Sequence, residues 1–498
     1  MRHEVRANEA IQMGAGAPSG AWDSGNAESS DALMKTLLLG VAIAIAAGVV
    51  LAAGGALWLA AAFLCVIVVV LTAGRPEYAV STMIFALPLF GGTTVLSAPG
   101  IPDVTVSRML VLWSVVVVGS AIESQRRQLG PPSGEAPGHD PMLGSLPVWV
   151  GVFLGFMLLA GFRSPSLRTG LQGWLDDYCL PFVLLLVFSR YRWSRRQIDL
   201  VVAVYLACCC LWSALALAEF VTKRSLFTAD GTLPWASGGA AFGRTGGPFI
   251  NPAFLGTAVG IGLVLAWVWA GRSGIPRRVA LVCGPMSAAG LTVSLTRASW
   301  LGAAAGVLLL LALTRRHRVA TTVITLSALA IGVVLVASLL GAGFLETRTA
   351  SKSEVFNRLV AQRAAVRIVA DNPLFGVGSN RFSMLSRQNL SNVGTISAAY
   401  GLGVSVPHNS ILGAMVDGGL GAGACLVVVF GLLLASGRRR VANPSMRYLG
   451  VAALACTVVL AVNAMFVDMS LAFAVTTLAL SVIGIFLSTP NEQRLAVQ

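Results

Sequence analysis

His408 stands directly before an apolar run, in Pro407-His408-Asn409, at the end of a polar stretch that runs from Ser351 to Gly423. A histidine at a helix start feels the positive end of the helix dipole, which disfavours imidazolium. Neutral imidazole is the form a general base needs near neutral pH. Arginines mark the same polar stretch and earlier polar breaks of the chain. Arg358, Arg363 and Arg367 fall in the polar stretch, and Arg297 sits in the short break Ser294-Leu295-Thr296-Arg297-Ala298-Ser299-Trp300. Arg244 opens Arg244-Thr245-Gly246-Gly247-Pro248-Phe249-Ile250-Asn251-Pro252. A guanidinium is a planar fork that makes bidentate, charge-assisted hydrogen bonds to phosphate. A base beside several such forks suits removal of a proton from a hydroxyl while a phosphate-bearing group is held.

These residues are set in a chain built for lipid. It has 498 residues, of which 56% are hydrophobic and 11% charged, and its mean hydropathy is +0.79. That composition is that of a polytopic membrane protein. The apolar runs suit spanning helices, which need about 20 residues each, and lack the alternation of a transmembrane β-barrel. The formal charge of +14 sits in breaks between runs, as topology signals do, and no nucleic-acid-binding pattern accompanies it. The chain has no G-x-x-x-x-G-K-[ST] loop, which argues against ATP. No cysteine has zinc-ligand spacing with a histidine, and Asp176-Asp177 reads as an interfacial helix start rather than a metal site. No cofactor is expected.

The fold class that follows is all-α: a polytopic transmembrane helix bundle of about 12–14 spans with one large helical extracytoplasmic loop. Residues 1–32 read as a disordered cytoplasmic tail and residues 33–239 as an N-terminal transmembrane bundle. Residues 240–436 form a catalytic region that includes the loop 342–409, and residues 437–498 a C-terminal transmembrane hairpin and tail. Fourteen candidate spans lie between residues 33 and 488. Those at 78–91 and 178–189 are short enough to be half-helices, and one long span covers 410–436. Every second break is arginine-rich, which places the N-terminus in the cytoplasm and the breaks near 163–177, 222–252, 296–298 and 342–409 outside.

Residues 351–370 predict a helix lying outside the membrane. Ser351 with Glu354 fits a capping box, and Val355, Leu359, Val366 and Val369 make an apolar stripe at helical spacing. Arg363 and Arg367 share a face, with Arg358 well round the helix from them. The seven basic residues of the loop call for a membrane-borne diphosphate or another lipid-linked anion.

At these residues the chain resembles the O-antigen ligase superfamily, over roughly 240–435. The resemblance rests on Gly247-Pro248-Phe249 with Asn251-Pro252 and on the break around Arg297. It rests further on Arg358 ahead of Asp371-Asn372-Pro373-Leu374-Phe375-Gly376-Val377-Gly378, and on His408-Asn409 followed by Asp417-Gly418-Gly419. It implies a glycosyltransferase of the cytoplasmic (inner) membrane, acting on its extracytoplasmic face. The donor would be an undecaprenyl-diphosphate-linked glycan, and the acceptor a glycan or lipid hydroxyl. By the resemblance His408 deprotonates the acceptor, and Arg297 with Arg358 or Arg363 holds the diphosphate. Arg244 and Arg367 join the donor site, and Asn409 and Asp417 support it. The resemblance implies metal-independent, inverting transfer, as ligase or polymerase. The rival reading is a transporter or flippase of lipid-linked oligosaccharide. Such proteins often carry inverted repeats and discontinuous helices, and no internal repeat stands out in this chain.

Overall fold

A computed structural model describes residues 69–90, 94–96, 102–129, 141–228, 244–272, 275–314, 332, 352–391, 406–468 and 472–488. The expected tail, the spans at 33–51 and 319–341, most of the span at 56–73, and the side chains of the Ser351–Glu354 capping box lie outside these. The chain divides into a unit of residues 1–73 and a unit of residues 74–498, and the second carries the site.

Among its described residues the regular structure is helical, save one short antiparallel pair, β1 (Thr94–Leu96) with β2 (Val104–Thr105). Its first helices are α1 (Pro76–Phe90), α2 (Val106–Leu129) and α3 (Pro141–Phe162). Next comes one continuous rod made of α4 (Leu167–Gly173), a π-helical segment (Trp174–Cys179) and α5 (Leu180–Arg190). Then follow α6 (Arg195–Thr222), α7 (Pro252–Ala270), α8 (Ile275–Val293) and α9 (Arg297–Leu313). Two helices, α10 (Lys352–Asp371) and α11 (Phe382–Ser391), form the polar layer. The last four are α12 (Ser410–Gly418), α13 (Leu420–Ala442), α14 (Arg447–Ala464) and α15 (Phe473–Phe486). Among the described residues seven helices are long and apolar enough to cross a bilayer. The protein is a multi-pass membrane protein with an all-α bundle.

Two expected spans change shape. The run at 178–189 is no half-helix. The helix begins at Leu167, so most of the expected external loop 163–177 is itself helical, and Asp176 and Asp177 lie within the rod rather than at its start. The wider π turn lets a buried guanidinium reach in: Arg108 Nε and Nη2 each donate at 2.6 Å to the two oxygens of Asp176. A bidentate pair of this kind offsets much of the cost of taking both charges out of water. The run at 410–436 is two helices, not one. Gly419, at φ 84° and ψ 178°, adopts a backbone state almost confined to glycine and separates α12 from α13.

The core is filled by large side chains, among them Trp193, Tyr205, Trp212 and Trp269. In the half of the bundle that carries the arginines, helices meet through small residues. A Cβ at Gly302 of α9 would lie 3.0 Å from the Val459 carbonyl oxygen of α14, and one at Gly306 would lie 2.8 Å from Val459 Cγ2. Lipid is as apolar as leucine, so membrane helices associate by such close packing rather than by hydrophobic exclusion. The α9–α14 contact brings the start of α9 next to the end of α14, and the site forms there.

Candidate functional site

Arg297 is the first residue of α9, after the cap residue Thr296. In the structure Leu295 takes φ 48° and turns the chain sharply, so Arg297 is exposed at the end of the bundle. Two residues on, Ser299 is buried, with Oγ 3.2 Å from the Ala253 carbonyl oxygen and 3.1 Å from Asn463 Oδ1. Asn463 in turn donates to the Val459 carbonyl at 2.9 Å. This cluster binds the starts of α7 and α9 to the end of α14.

The Arg244 segment is fastened to the same corner. Thr245 Oγ1 donates to the Val293 carbonyl at 3.2 Å, at the last residue of α8. The Gly247 amide donates to Glu219 Oε2 at 2.9 Å, and Leu226 N and Ser225 Oγ meet Glu219 Oε1 at 3.0 and 3.1 Å. Glu219 is thus a buried carboxylate used wholly as an acceptor. It clamps the loops on either side of residues 229–243, and Arg244, half-buried, leaves the second of them. The sequence reading passed over Glu219 because it sits in an apolar run; a carboxylate within such a run is itself the signal that a polar partner must be found.

His408 and its neighbours converge on residues 463–468. Asn409 caps α12, accepting from Leu412 N at 2.9 Å, and its amide donates to the Met465 carbonyl at 3.1 Å. Ser410 Oγ donates to the Val467 carbonyl at 2.9 Å. Arg358 Nη1, reaching from α10, donates to the Phe466 carbonyl at 3.3 Å. Three successive carbonyls at the end of α14 therefore bind Arg358 and the residues that follow His408. Next in the chain, Asp468 is buried, with a carboxylate oxygen 3.1 Å from where a Cβ on Gly413 would stand. Ser410, Gly413 and Asp417 share one stripe of α12, so Asp417 belongs to the same surface. Asp468 was not among the expected site residues, because it lies in a break too short to draw notice.

The polar helix forms where expected, over Lys352–Asp371, but buries a different face. Ala361, Ala364, Ala365 and Ile368 pack with Val377, Phe382 and Val416, while Leu359 and Val366 of the expected stripe are exposed. Alanines lay α10 close on α12, and the larger side chains were misleading guides to the buried side. Val369 is buried as expected, and the side chain of Val355 lies outside the described residues. Arg358 falls on the inner side, whereas Arg363 and Arg367 are exposed on the other. The structure thus gathers Arg297, Arg358, His408 and Asn409 about the end of α14 and leaves Arg363 and Arg367 facing away.

What holds α10 in place is a backbone interlock. Val377 N donates to the Val416 carbonyl at 2.8 Å, Gly378 N to the Asp417 carbonyl at 3.0 Å, and Leu420 N to the Pro373 carbonyl at 2.8 Å. A Cβ on Gly376 would overlap the carbonyls of Val416 and Asp417, and one on Gly419 would overlap that of Leu374. The motif Asp371–Gly378 is thereby hooked over the α12–α13 break, and its glycines allow the approach.

Among the described non-glycine residues, five have positive φ, and three of these are Ile250 (61°), Leu295 (48°) and His408 (56°). These three mark the breaks that carry Arg244, Arg297 and the histidine. Such conformations are costly for bulky residues and collect at functional sites.

Residues 282–427 match the family model described as O-Antigen ligase. Over this stretch the chain is similar to the O-antigen ligase family. The stretch spans α8 to the start of α13 and holds Arg297, Arg358, Arg363, Arg367, His408, Asn409 and Asp417; Arg244 and Asp468 lie outside it. No curated protein matches the chain at a significant level. The likeness of this stretch to that family, within a multi-pass membrane protein, supports a glycosyl-transfer function at the membrane in polysaccharide biosynthesis.

Proposed function

We propose that the protein transfers a glycan from an undecaprenyl-diphosphate donor to an acceptor hydroxyl, without a metal and with inversion at the anomeric carbon, on the extracytoplasmic face of the inner membrane. The observation that carries the reading is the convergence of Arg358, Asn409 and Ser410 on the Met465–Val467 carbonyls, with Ser299 bonded to Asn463 close by. That arrangement supports a reading in which His408 as base and the Arg297 and Arg358 guanidinium groups work together at one end of the bundle.

As the glycosidic bond breaks, the lipid diphosphate gains charge. Arginines fixed beforehand at that point favour the transition state over the ground state. His408 takes the acceptor proton as the new bond forms, and Asn409 holds the start of α12 so that the imidazole is correctly placed. Arg244 completes the donor side, and Asp417 braces α12 from within. The membrane aligns a lipid-borne donor with the site before chemistry begins.

The deciding experiment uses purified protein in detergent with lipid-linked donor and acceptor. His408→Ala lowers the transfer rate by about 10²–10⁴-fold while protein level and membrane insertion hold. Unchanged transfer in that variant overturns the base assignment, and a wild-type protein that makes no product overturns the enzymatic reading.

A further inference from the structure

The turn that hooks α10 onto the bundle presents its side chains outward. Leu374 is 73% exposed and Phe375 54% exposed. Beside them lie Phe162, 56% exposed at the end of α3, and Leu420, 49% exposed at the start of α13. The neighbourhood is fixed by hydrogen bonds: Leu420 N donates to the Pro373 carbonyl at 2.8 Å, Arg163 Nη1 to the Phe375 carbonyl at 2.8 Å, and Ser379 N to the Ala160 carbonyl at 3.0 Å. Both α3 and α13 are candidate membrane spans. These candidate spans end at Phe162 and begin at Leu420, level with the turn.

We propose that Leu374 and Phe375 are a membrane anchor, inserted into the interfacial zone of the bilayer leaflet on the side where α10 lies. The occupant of this apolar patch is phospholipid. The height of the turn argues for it, since two spans end against it and their own exposed side chains continue the patch below. The chemistry of its rim agrees. Arg163 is exposed and gives one N–H to the Phe375 carbonyl. An arginine stem can lie along apolar surface while its head offers further donors to lipid phosphate. The Phe375 carbonyl, which would be costly to bring toward hydrocarbon unpaired, is satisfied by that same arginine.

The anchor has a consequence for the site. Pro373 and Leu374 come just after Asn372, which follows the end of α10 at Asp371, and Arg358 lies thirteen residues back from Asp371, about 20 Å along a helix. Pinning the turn to the membrane surface fixes the height of α10 above it. The inference goes beyond the glycan-transfer reading and does not require it.

The test is photocrosslinking in full-length protein reconstituted into phospholipid nanodiscs, with p-benzoylphenylalanine placed at position 374 or 375. Position 148, whose valine is exposed along α3, serves as the lipid-facing reference. Phospholipid adducts at 374 and 375 in yields comparable with position 148 are expected. Yields at background, or adducts to a second copy of the chain in place of lipid, overturn the anchor. The aromatic ketone is close in shape to phenylalanine, the positions are exposed, and no glycan donor is used. The outcome therefore stands apart from that of the transfer assay.

Discussion

The end of the bundle and the helix laid over it hold their cations by different means. Arg244 and Arg297 leave from breaks whose neighbours Ile250 and Leu295 sit in the left-handed region, and His408 occupies that region itself. Buried Thr245 and Ser299 tie the two arginine breaks to their surroundings. Arg363 and Arg367 stand instead along a regular helix, exposed on the side that also carries the exposed Leu359 and Val366. A group on a strained, hydrogen-bonded break has its backbone position fixed before any ligand arrives, as transition-state stabilisation requires. A group on an open helix face keeps its rotamer freedom and acts mainly through its charge. Arg358 belongs with the first set although it sits on the same helix as the second, because it is turned inward onto the Phe466 carbonyl.

After His408→Ala, the largest effect separating the two sets is expected at Arg297. Lysine keeps the charge and loses the planar fork. Arg297→Lys should lower kcat/KM by about 10²-fold, the scale of losing one preorganised donor, and Arg358→Lys should fall in the same range. Steady-state transfer assays over a range of donor concentrations give both numbers. If either lysine variant turned over like the wild type, its arginine would belong with the open helix face.

A smaller effect is expected from loosening the hook that joins the regions. Gly376 has φ 59° and Gly419 φ 84°, and a methyl group on either would meet a carbonyl. Gly376→Ala and Gly419→Ala should each cost about 1–3 kcal/mol, seen as a lower Tm in detergent. The interlock holds α10 over α12, so limited proteolysis should cut the α10–α11 segment sooner in both variants. Equal Tm and equal protease resistance would mean that the alanine face of α10 alone holds it in place.

The sequence made much of this legible. Runs of apolar residues announced a helical membrane bundle, and the polar helix was placed to within a residue or two. Arg297, Arg358 and His408 were singled out by residue type and position, and the structure brings the segments that carry them to one end of the bundle. Asp468 and Glu219 were not, since each is a single carboxylate at the edge of or inside an apolar run, and its partners are main-chain groups distant in sequence or a neighbouring helix. The buried face of α10 was misread for a related reason. Periodicity weights large apolar side chains, but close helix contact favours alanine, so Ala361, Ala364 and Ala365 won the interface from Leu359 and Val366. The split of 410–436 turned on one glycine, and hydropathy does not register a φ angle.

The smallest expected effect is the one that tests the outward cations directly. If Arg363 and Arg367 serve to attract the anionic donor and not to hold it in the transition state, Arg363→Gln with Arg367→Gln should leave kcat near the wild-type value. KM for the lipid-linked donor should rise, by about threefold at low salt, since charge at a surface acts chiefly on encounter. The difference from wild type should then shrink as ionic strength passes roughly 0.15 M, where the Debye length is about 8 Å. A salt-independent fall in kcat would place one of these arginines on the diphosphate itself. It would require α10 to turn when donor binds, since in this structure Arg358 faces the bundle and the other two face away.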